Sequence, residues 1–248
     1  MLPDFFCAMT EEIEIQLRQW ARDYHRSDFI ADDPVQFPNR YRGGRQEDIE
    51  IIGLLTAVLS FGNRKMILRK VNELDELMGH APLRYVLSRE WMEDFPSADT
   101  NSFYRMVSYA SFRAYFEKLY PVYVSGKTLE DSLMEYPGTP MQRICAFLGV
   151  SDRSPQKKLN MYLRWMIRTG SPVDFGIWKR MYPAELIIPL DTHVCRMAYQ
   201  LGLTATQTFS LNNAKRITEA LAEIFPGDPC LGDFALFGYG VNHKDEEA

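Results

Sequence analysis

Cysteine is scarce in this chain of 248 residues, and the four cysteines, Cys7, Cys145, Cys195 and Cys230, lie far apart. No CxxC pair and no close-set group of Cys and His occurs, so we expect neither a zinc site nor an iron–sulfur cluster. The wide spacing predicts reduced, mostly buried thiols. We therefore expect a protein that holds no metal and uses no cofactor.

Long apolar stretches are also missing. The longest apolar run, residues 49–59, is well short of the roughly 20 residues that cross a bilayer, and it contains Glu50. It is typical of a buried core helix. The first residues, Met1 to Asp4, lack the basic start and the apolar segment of a signal peptide. We expect a cytoplasmic protein that does not contact membranes.

Strand-like alternation of apolar and polar residues is lacking as well, and helical periodicity dominates. The sequence therefore predicts a compact all-α protein that forms a single domain over residues 1–248. A segment rich in Pro, Asp and Gly, residues 27–46, is predicted to be a loop. The predicted helices cover residues 10–25, 47–60, 64–78, 100–120, 138–149, 156–168, 192–201, 210–224 and 231–237.

Acidic residues outnumber basic ones, with a net charge of −5, but the charge is unevenly distributed. Residues 152–216 hold ten basic and four acidic residues, and residues 39–70 hold seven basic and three acidic residues. Such polarity allows one basic face to meet a phosphate backbone. Solvated helix faces of mixed sign are the alternative.

The most informative segment is LIIPLDTHVCRMAYQLGL, residues 186–203. An apolar stretch ends at Pro189, and Asp191 then stands where a helix begins. Val194, Met197, Ala198 and Leu201 follow at helical spacing and are predicted to anchor that helix in the core. Asp is a favoured N-cap, so capping alone accounts for Asp191, and a catalytic carboxylate is the other interpretation.

Family resemblance favours the catalytic interpretation. The segment resembles the D-x-H-(V/I)-x-R string that carries the catalytic aspartate of helix-hairpin-helix DNA glycosylases, with Asp191, His193, Val194 and Arg196 at the matching positions. More closely, the chain resembles a bacterial family labelled DUF2400. The segments that carry this resemblance are DPVQFPNRY (33–41), DIEIIGLLTAVLSFGNRK (48–65), KKLNMYLRWMIR (157–168), VDFGIW (173–178), IIPLDTHV (187–194) and DFALFG (233–238).

The resemblance implies a helix-hairpin-helix glycosylase-like fold in which two helical subdomains flank a cleft. The approximate sublobes are residues 47–150 in one and residues 1–46 with 151–248 in the other. Many of these glycosylases carry an L-P-G-x-G hairpin shortly before the aspartate, and this sequence lacks it. The archaeal 8-oxoguanine glycosylases also depart from that hairpin and place a nucleophilic lysine in an upstream helix. Lys157 stands at that position, 34 residues before Asp191.

This resemblance implies a catalytic pair of Asp191 and Lys157. A carboxylate stabilises the positive charge that develops on the sugar when an N-glycosidic bond breaks. A neutral lysine amine can attack the anomeric carbon and form a Schiff base, after which strand cleavage becomes accessible. Lys158 is the alternative nucleophile.

The remaining candidate residues concern DNA and the extruded base. The turn that contains Asn63, Arg64 and Lys65 corresponds to a loop that, in relatives, fills the gap left by a flipped base. The alternative there is an ordinary turn between helices. The full set of predicted DNA-binding residues is Asn63, Arg64, Lys65, Lys158, Arg164 and Arg168. The rings predicted to stack on a base, unless they belong to the core, are Trp165, Trp178 and Phe237.

We therefore expect a monomeric base-excision repair glycosylase that acts on duplex DNA with an oxidised purine such as 8-oxoguanine, with an abasic-site lyase step as an added activity. Two alternatives stay open. A non-catalytic nucleic-acid-binding protein with the same fold is favoured by the acidic total and the missing glycine hairpin. A helical protein-interaction module predicts no DNA binding at all.

Overall fold

A computed structural model describes residues 11–242, and the side chains of residues 11–240. This part of the chain is predominantly helical, with a single two-stranded antiparallel sheet. The α-helices are α1 (Glu11–Tyr24), α2 (Gln36–Asn39), α3 (Gln46–Leu59), α4 (Arg64–Leu77), α5 (Pro82–Ser88), α6 (Trp91–Asp94), α7 (Tyr109–Val124), α8 (Leu129–Leu133), α9 (Pro140–Leu148), α10 (Lys157–Ile167), α11 (Thr192–Gln200), α12 (Leu211–Ile224) and α13 (Leu231–Asn242). The strands are β1 (Ser102–Tyr104) and β2 (Val107–Ser108), and 3-10 helices cover Ser27–Ile30 and Pro183–Glu185.

The described chain divides into two compact units. The central unit comprises residues 30–138 and 142–150. The terminal unit comprises the described residues before 30, residues 139–141 and the described residues from 151 onward. No helix in the described range is both long enough and apolar enough to span a membrane.

The core of the central unit is α3, which is buried from Ile49 to Leu59. Its one charged residue in that stretch, Glu50, is fully buried, and its carboxylate is hydrogen-bonded. Glu50 Oε2 accepts hydrogen bonds from the Leu129 amide at 2.9 Å and from the Tyr123 hydroxyl at 3.1 Å. Glu50 therefore ties α3 to the first turn of α8 and to α7, since a buried carboxylate is stable only when it is hydrogen-bonded.

The segment predicted as a loop over residues 27–46 contains a 3-10 helix and α2, and it is fixed to α4. Asp75 of α4, which is fully buried, accepts a 2.7 Å hydrogen bond from Arg40, and the Tyr41 hydroxyl also donates to it. The last residues of the DPVQFPNRY segment therefore serve to satisfy a buried carboxylate of the central unit.

Glycines determine how closely α13 packs in the terminal unit. A methyl group at Gly238 would collide with the Tyr24 side chain of α1, and one at Gly240 would lie 2.9 Å from Cγ of Met197 on α11. The stacked rings of Trp20 and Tyr239, with centroids 3.9 Å apart, complete the contact between α1 and α13. Small residues here allow three helices to approach one another closely.

The helix predicted over residues 100–120 is wrong in its first half. Residues 102–108 form the β1–β2 hairpin, and α7 begins only at Tyr109. The reason is the capping box of Ser108 and Ser111, in which each side chain bonds the backbone of the other residue. Ser108 therefore starts the helix well inside the segment that periodicity assigned to it.

Candidate active site

The site contains the two residues that the sequence placed 34 positions apart. Lys157 is the first residue of α10, and Asp191 is the N-cap of α11. Asp191 Oδ1 accepts a 2.9 Å hydrogen bond from the Val194 amide. Its other oxygen, Oδ2, lies 3.5 Å from Lys157 Nζ. One carboxylate oxygen is therefore committed to the helix cap, and the second faces an amine.

Burial differs between the two partners of this pair. The side chain of Asp191 is 12% exposed, because it follows a buried apolar segment that ends at Leu190, and that of Lys157 is 39% exposed. The carboxylate is thus mostly enclosed, while the lysine side chain is partly exposed. Such a pair offers a fixed negative charge beside a group that a ligand can reach.

Lys158, the alternative nucleophile, is half-buried on the same turn of α10. Burial lowers the pKa of Lys158, since desolvation penalises the ammonium form. Its amine therefore becomes neutral at a lower pH than that of an exposed lysine, which is the condition for attack on a sugar carbon.

Arg164 and Arg168, further along α10, belong to a buried network of ion pairs. Arg164 Nε lies 3.3 Å from Asp174 Oδ1, and its Nη1 pairs with Asp233. Arg168 Nη1 lies 2.6 Å from Asp174 Oδ2, and its Nε lies 2.8 Å from Asp228 Oδ1. This placement removes Arg164 and Arg168 from the predicted DNA-binding set, because the two side chains are only 7% and 2% exposed and already face carboxylates.

The network reaches the Lys157–Asp191 pair through Asp233. Burial raises the pKa of Asp233 to about 6, opposed by the charge of Arg164 and reinforced by that of Asp191, and Lys157 also lowers it. The charges of Asp191 and of Lys157 therefore both influence the pKa of Asp233. Asp233 is not among the residues predicted from the sequence, because its partners lie 42 to 76 residues away in the chain.

His25, which directly follows α1, contacts the buried network at Arg168. Its Nε2 lies 2.7 Å from Ser171 Oγ and 3.1 Å from Arg168 Nη1, and its ring packs on Phe234 with centroids 4.5 Å apart. Burial, followed by the charge of Arg168, lowers the pKa of His25 from 6.5 to about 4. The folded protein therefore holds a neutral imidazole at pH 7.

This depressed pKa predicts a pH-dependent stability. The stability contributed by neutral His25 is complete above pH 6.5 and is lost as the pH falls towards about 4, because the unfolded chain binds the proton first. We expect His25→Gln to lose less free energy of unfolding than the wild type between pH 7.5 and pH 5. Urea unfolding at the two pH values measures this difference, and equal losses in both proteins would refute it.

Two of the three rings predicted to form a base pocket lie in the core. Trp165 is 0% exposed and Trp178 is 1% exposed, the latter packed edge-on against Tyr162 at 5.5 Å. A fully enclosed ring cannot stack on a base, so these two leave the predicted pocket. Phe237 is half-buried, and its ring lies edge-on to that of His193 with centroids 6.2 Å apart. His193 follows Asp191 by two residues in the chain. Phe237 remains a candidate.

The turn before α4 belongs to the central unit. Asn63 is the N-cap of α4, and its side chain accepts from the Met66 amide at 3.4 Å. Arg64 and Lys65 are exposed. Helix capping is thus sufficient to account for Asn63. The two exposed cations that follow it remain available to a ligand.

The cysteines do not contribute a metal centre in the described range. Cys145, Cys195 and Cys230 are buried free thiols, and Cys7 lies outside the described residues. Between residues 11 and 242, no cluster of three His, Cys, Asp or Glu side chains that could hold a metal ion occurs.

Comparison with known proteins assigns a family. A family model described as "Protein of unknown function (DUF2400)" matches residues 33–145 and 139–242. The chain belongs to the DUF2400 family. Neither a search of curated proteins nor a search of solved structures found a match.

The DUF2400 match covers every element of the buried network except His25. Three of the segments that carry the family resemblance meet there, because KKLNMYLRWMIR supplies the two arginines, VDFGIW supplies Asp174 and DFALFG supplies Asp233. The recurrence of an Asp-Phe pair in the last two segments was the available signal for these residues. Their acidic members are ion-pair partners of α10.

Proposed function

We propose that this DUF2400 protein is a DNA glycosylase that removes an oxidised purine such as 8-oxoguanine. The observation that carries the proposal is the 3.5 Å approach of Lys157 Nζ to Asp191 Oδ2, between a mostly buried carboxylate and a partly exposed lysine side chain. The resemblance of the Asp191 segment to the glycosylase aspartate string supports the same assignment.

In the proposed reaction, the bond between the purine nitrogen and C1′ breaks and its electron pair leaves with the base. The Asp191 carboxylate stabilises the positive charge that develops on the sugar. A neutral lysine amine then forms a bond to C1′, and opening of the sugar ring gives a Schiff base that water hydrolyses. Elimination of the 3′ phosphate from that intermediate is the lyase step.

The two adjacent lysines differ in the properties that a nucleophile needs. Lys157 Nζ lies 3.5 Å from Asp191 Oδ2, so this amine faces the carboxylate directly. Burial lowers the pKa of Lys158. We assign the nucleophile to Lys157, because proximity to the stabilising carboxylate matters more than basicity, which the bound substrate can alter.

Borohydride trapping tests this assignment. Wild-type protein is incubated with a duplex that contains one 8-oxoguanine, and borohydride reduces any Schiff base to a stable covalent complex. We expect wild type and Lys158→Gln to be trapped, and Lys157→Gln to lose at least about nine-tenths of the trapped product. The two variants are matched, since each removes one amine from the same helical turn.

Two results would redirect the proposal. Trapping by Lys157→Gln but not by Lys158→Gln would move the nucleophile to Lys158 and keep the activity. Absence of a trapped complex with the wild type, together with absence of base release from a panel of lesions, would refute the glycosylase.

A nucleic-acid-binding protein without catalysis is the second candidate function. The hydrogen bond from the Val194 amide to Asp191 favours it, because helix capping alone accounts for that aspartate. This candidate predicts salt-dependent DNA affinity that survives Asp191→Asn, with no product formed. Affinity and base release measured on the same protein preparation separate the two functions.

A further inference from the structure

The β1–β2 hairpin of the central unit projects an apolar side chain into solvent. Its turn consists of Arg105 and Met106, and Arg105 adopts a left-handed conformation with φ of 54°. Ser102 Oγ donates a 2.6 Å hydrogen bond to the Arg105 carbonyl, which holds the turn closed. Met106 is 83% exposed, the largest exposed fraction among the exposed large hydrophobic side chains in the described range.

The hairpin is attached to the turn that precedes α4. The Tyr104 hydroxyl donates to the Phe61 carbonyl at 2.8 Å, and the two rings meet edge-on with centroids 5.1 Å apart. The Arg105 side chain crosses over Gly62, where a Cβ atom would lie 3.0 Å from Arg105 Cζ. Gly62 has φ of 94°, so this turn depends on glycine both for its backbone conformation and for space. The hairpin and the turn therefore form one continuous surface.

This tip surface, formed by Arg64, Lys65, Arg105 and Met106, is cationic. All four residues are exposed. None of the three cations forms an ion pair within the described residues, although Arg69 and Lys70 of the next turn both pair with Glu73. Residues 60–66 and 100–108 contain no acidic residue. The surface therefore presents uncompensated positive charge around the protruding Met106.

We propose that the tip surface binds duplex DNA, with Arg64, Lys65 and Arg105 on phosphates and Met106 inserted between neighbouring base pairs. Proteins that bend or open a duplex use an apolar side chain as a wedge and neighbouring cations as phosphate contacts. A protein partner fits less well, because one exposed methionine buries far less apolar area than a stable protein interface needs. The ligand class rests on the proposed function, but the wedge and the phosphate contacts are separate from the chemistry at Asp191.

The phosphate contacts are tested with an undamaged duplex, so that base release plays no part. Binding is followed by fluorescence anisotropy from about 50 to 200 mM salt, the range over which phosphate contacts have a large effect. We expect Lys65→Gln and Arg105→Gln each to reduce the slope of log affinity against log salt by about one. Arg84→Gln, an exposed arginine of the same unit that is paired with Glu90, is the matched control and should keep the wild-type slope.

The wedge is tested with 2-aminopurine placed in the duplex, since its fluorescence rises when its neighbours unstack. Wild-type protein should increase this fluorescence, and Met106→Ala should lose the increase while keeping the wild-type salt slope. Met92→Ala, which truncates a less exposed methionine of the same unit, should behave as wild type.

The possible results separate this inference from the glycosylase. Wild-type salt slopes in both charge variants, or no duplex binding by the wild type, would overturn the tip surface as a DNA contact. An unchanged 2-aminopurine signal in Met106→Ala would overturn the wedge. Reduced slopes in the charge variants of a protein that releases no base would support the tip surface and contradict the glycosylase. Wild-type slopes in the charge variants of a protein that releases base would support the glycosylase and contradict the tip surface.

Discussion

Replacement of Asp191 by asparagine is expected to lower the rate of base release by about 100-fold or more while leaving the stability of the fold almost unchanged. Asparagine is as good an N-cap as aspartate, so the hydrogen bond from the Val194 amide persists. The negative charge beside Lys157 is lost. Single-turnover base release and thermal unfolding of the same variant measure the two effects.

Asp191→Ala is the matched comparison, because it removes both the charge and the cap. We expect the same loss of activity as in Asp191→Asn, together with a loss of about 1 kcal/mol in the free energy of unfolding. If Asp191→Asn kept the wild-type rate while Asp191→Ala unfolded more easily, Asp191 would be a helix cap with no part in the chemistry.

The largest effect on stability is expected from Arg168→Met. This change leaves Asp174, which is fully buried, without its 2.6 Å ion-pair partner, and also removes the pair with Asp228. Removal of one member of a buried pair costs about 3–5 kcal/mol. Asp174 then keeps only its longer, 3.3 Å ion pair with Arg164, which compensates its buried charge less well. Chemical denaturation should show that loss, and the melting temperature should fall by about 10 °C.

Arg26→Gln is the control for this experiment. Its partner is Asp28, and the two side chains are 63% and 66% exposed, so we expect a change below about 1 kcal/mol. A loss of similar size for both variants would contradict the structural role of the buried network. An Arg168→Met protein as stable as wild type would show that Arg168 is available for another role, such as the DNA contact that the sequence suggested.

Local sequence pattern was sufficient for the strongly periodic helices. The predicted helices over residues 47–60, 64–78 and 210–224 agree with α3, α4 and α12 to within one residue at each end. The two members of the proposed catalytic pair were also identifiable, since Asp191 stands at a clear helix start and Lys157 opens the next basic helix upstream. Only the folded chain shows that their side chains approach to 3.5 Å.

Long-range ion pairs were beyond the reach of local pattern. Arg164 and Arg168 lie on one basic stripe of α10, and such a stripe is usually solvent-exposed. Their burial depends on distant carboxylates such as Asp228 and Asp233. Local spacing along the sequence does not show that these carboxylates contact α10. The short helices α5, α6 and α8 were missed for a related reason, because each is too short for periodicity to emerge.

The most direct test of the central claim is detection of free base by mass spectrometry after the wild-type protein is incubated with duplexes that each carry one lesion. We expect free 8-oxoguanine to accumulate in proportion to the duplex consumed, and Asp191→Asn to release it at least about 100-fold more slowly. Release of no base from any lesion, by a protein shown to be folded, would contradict it.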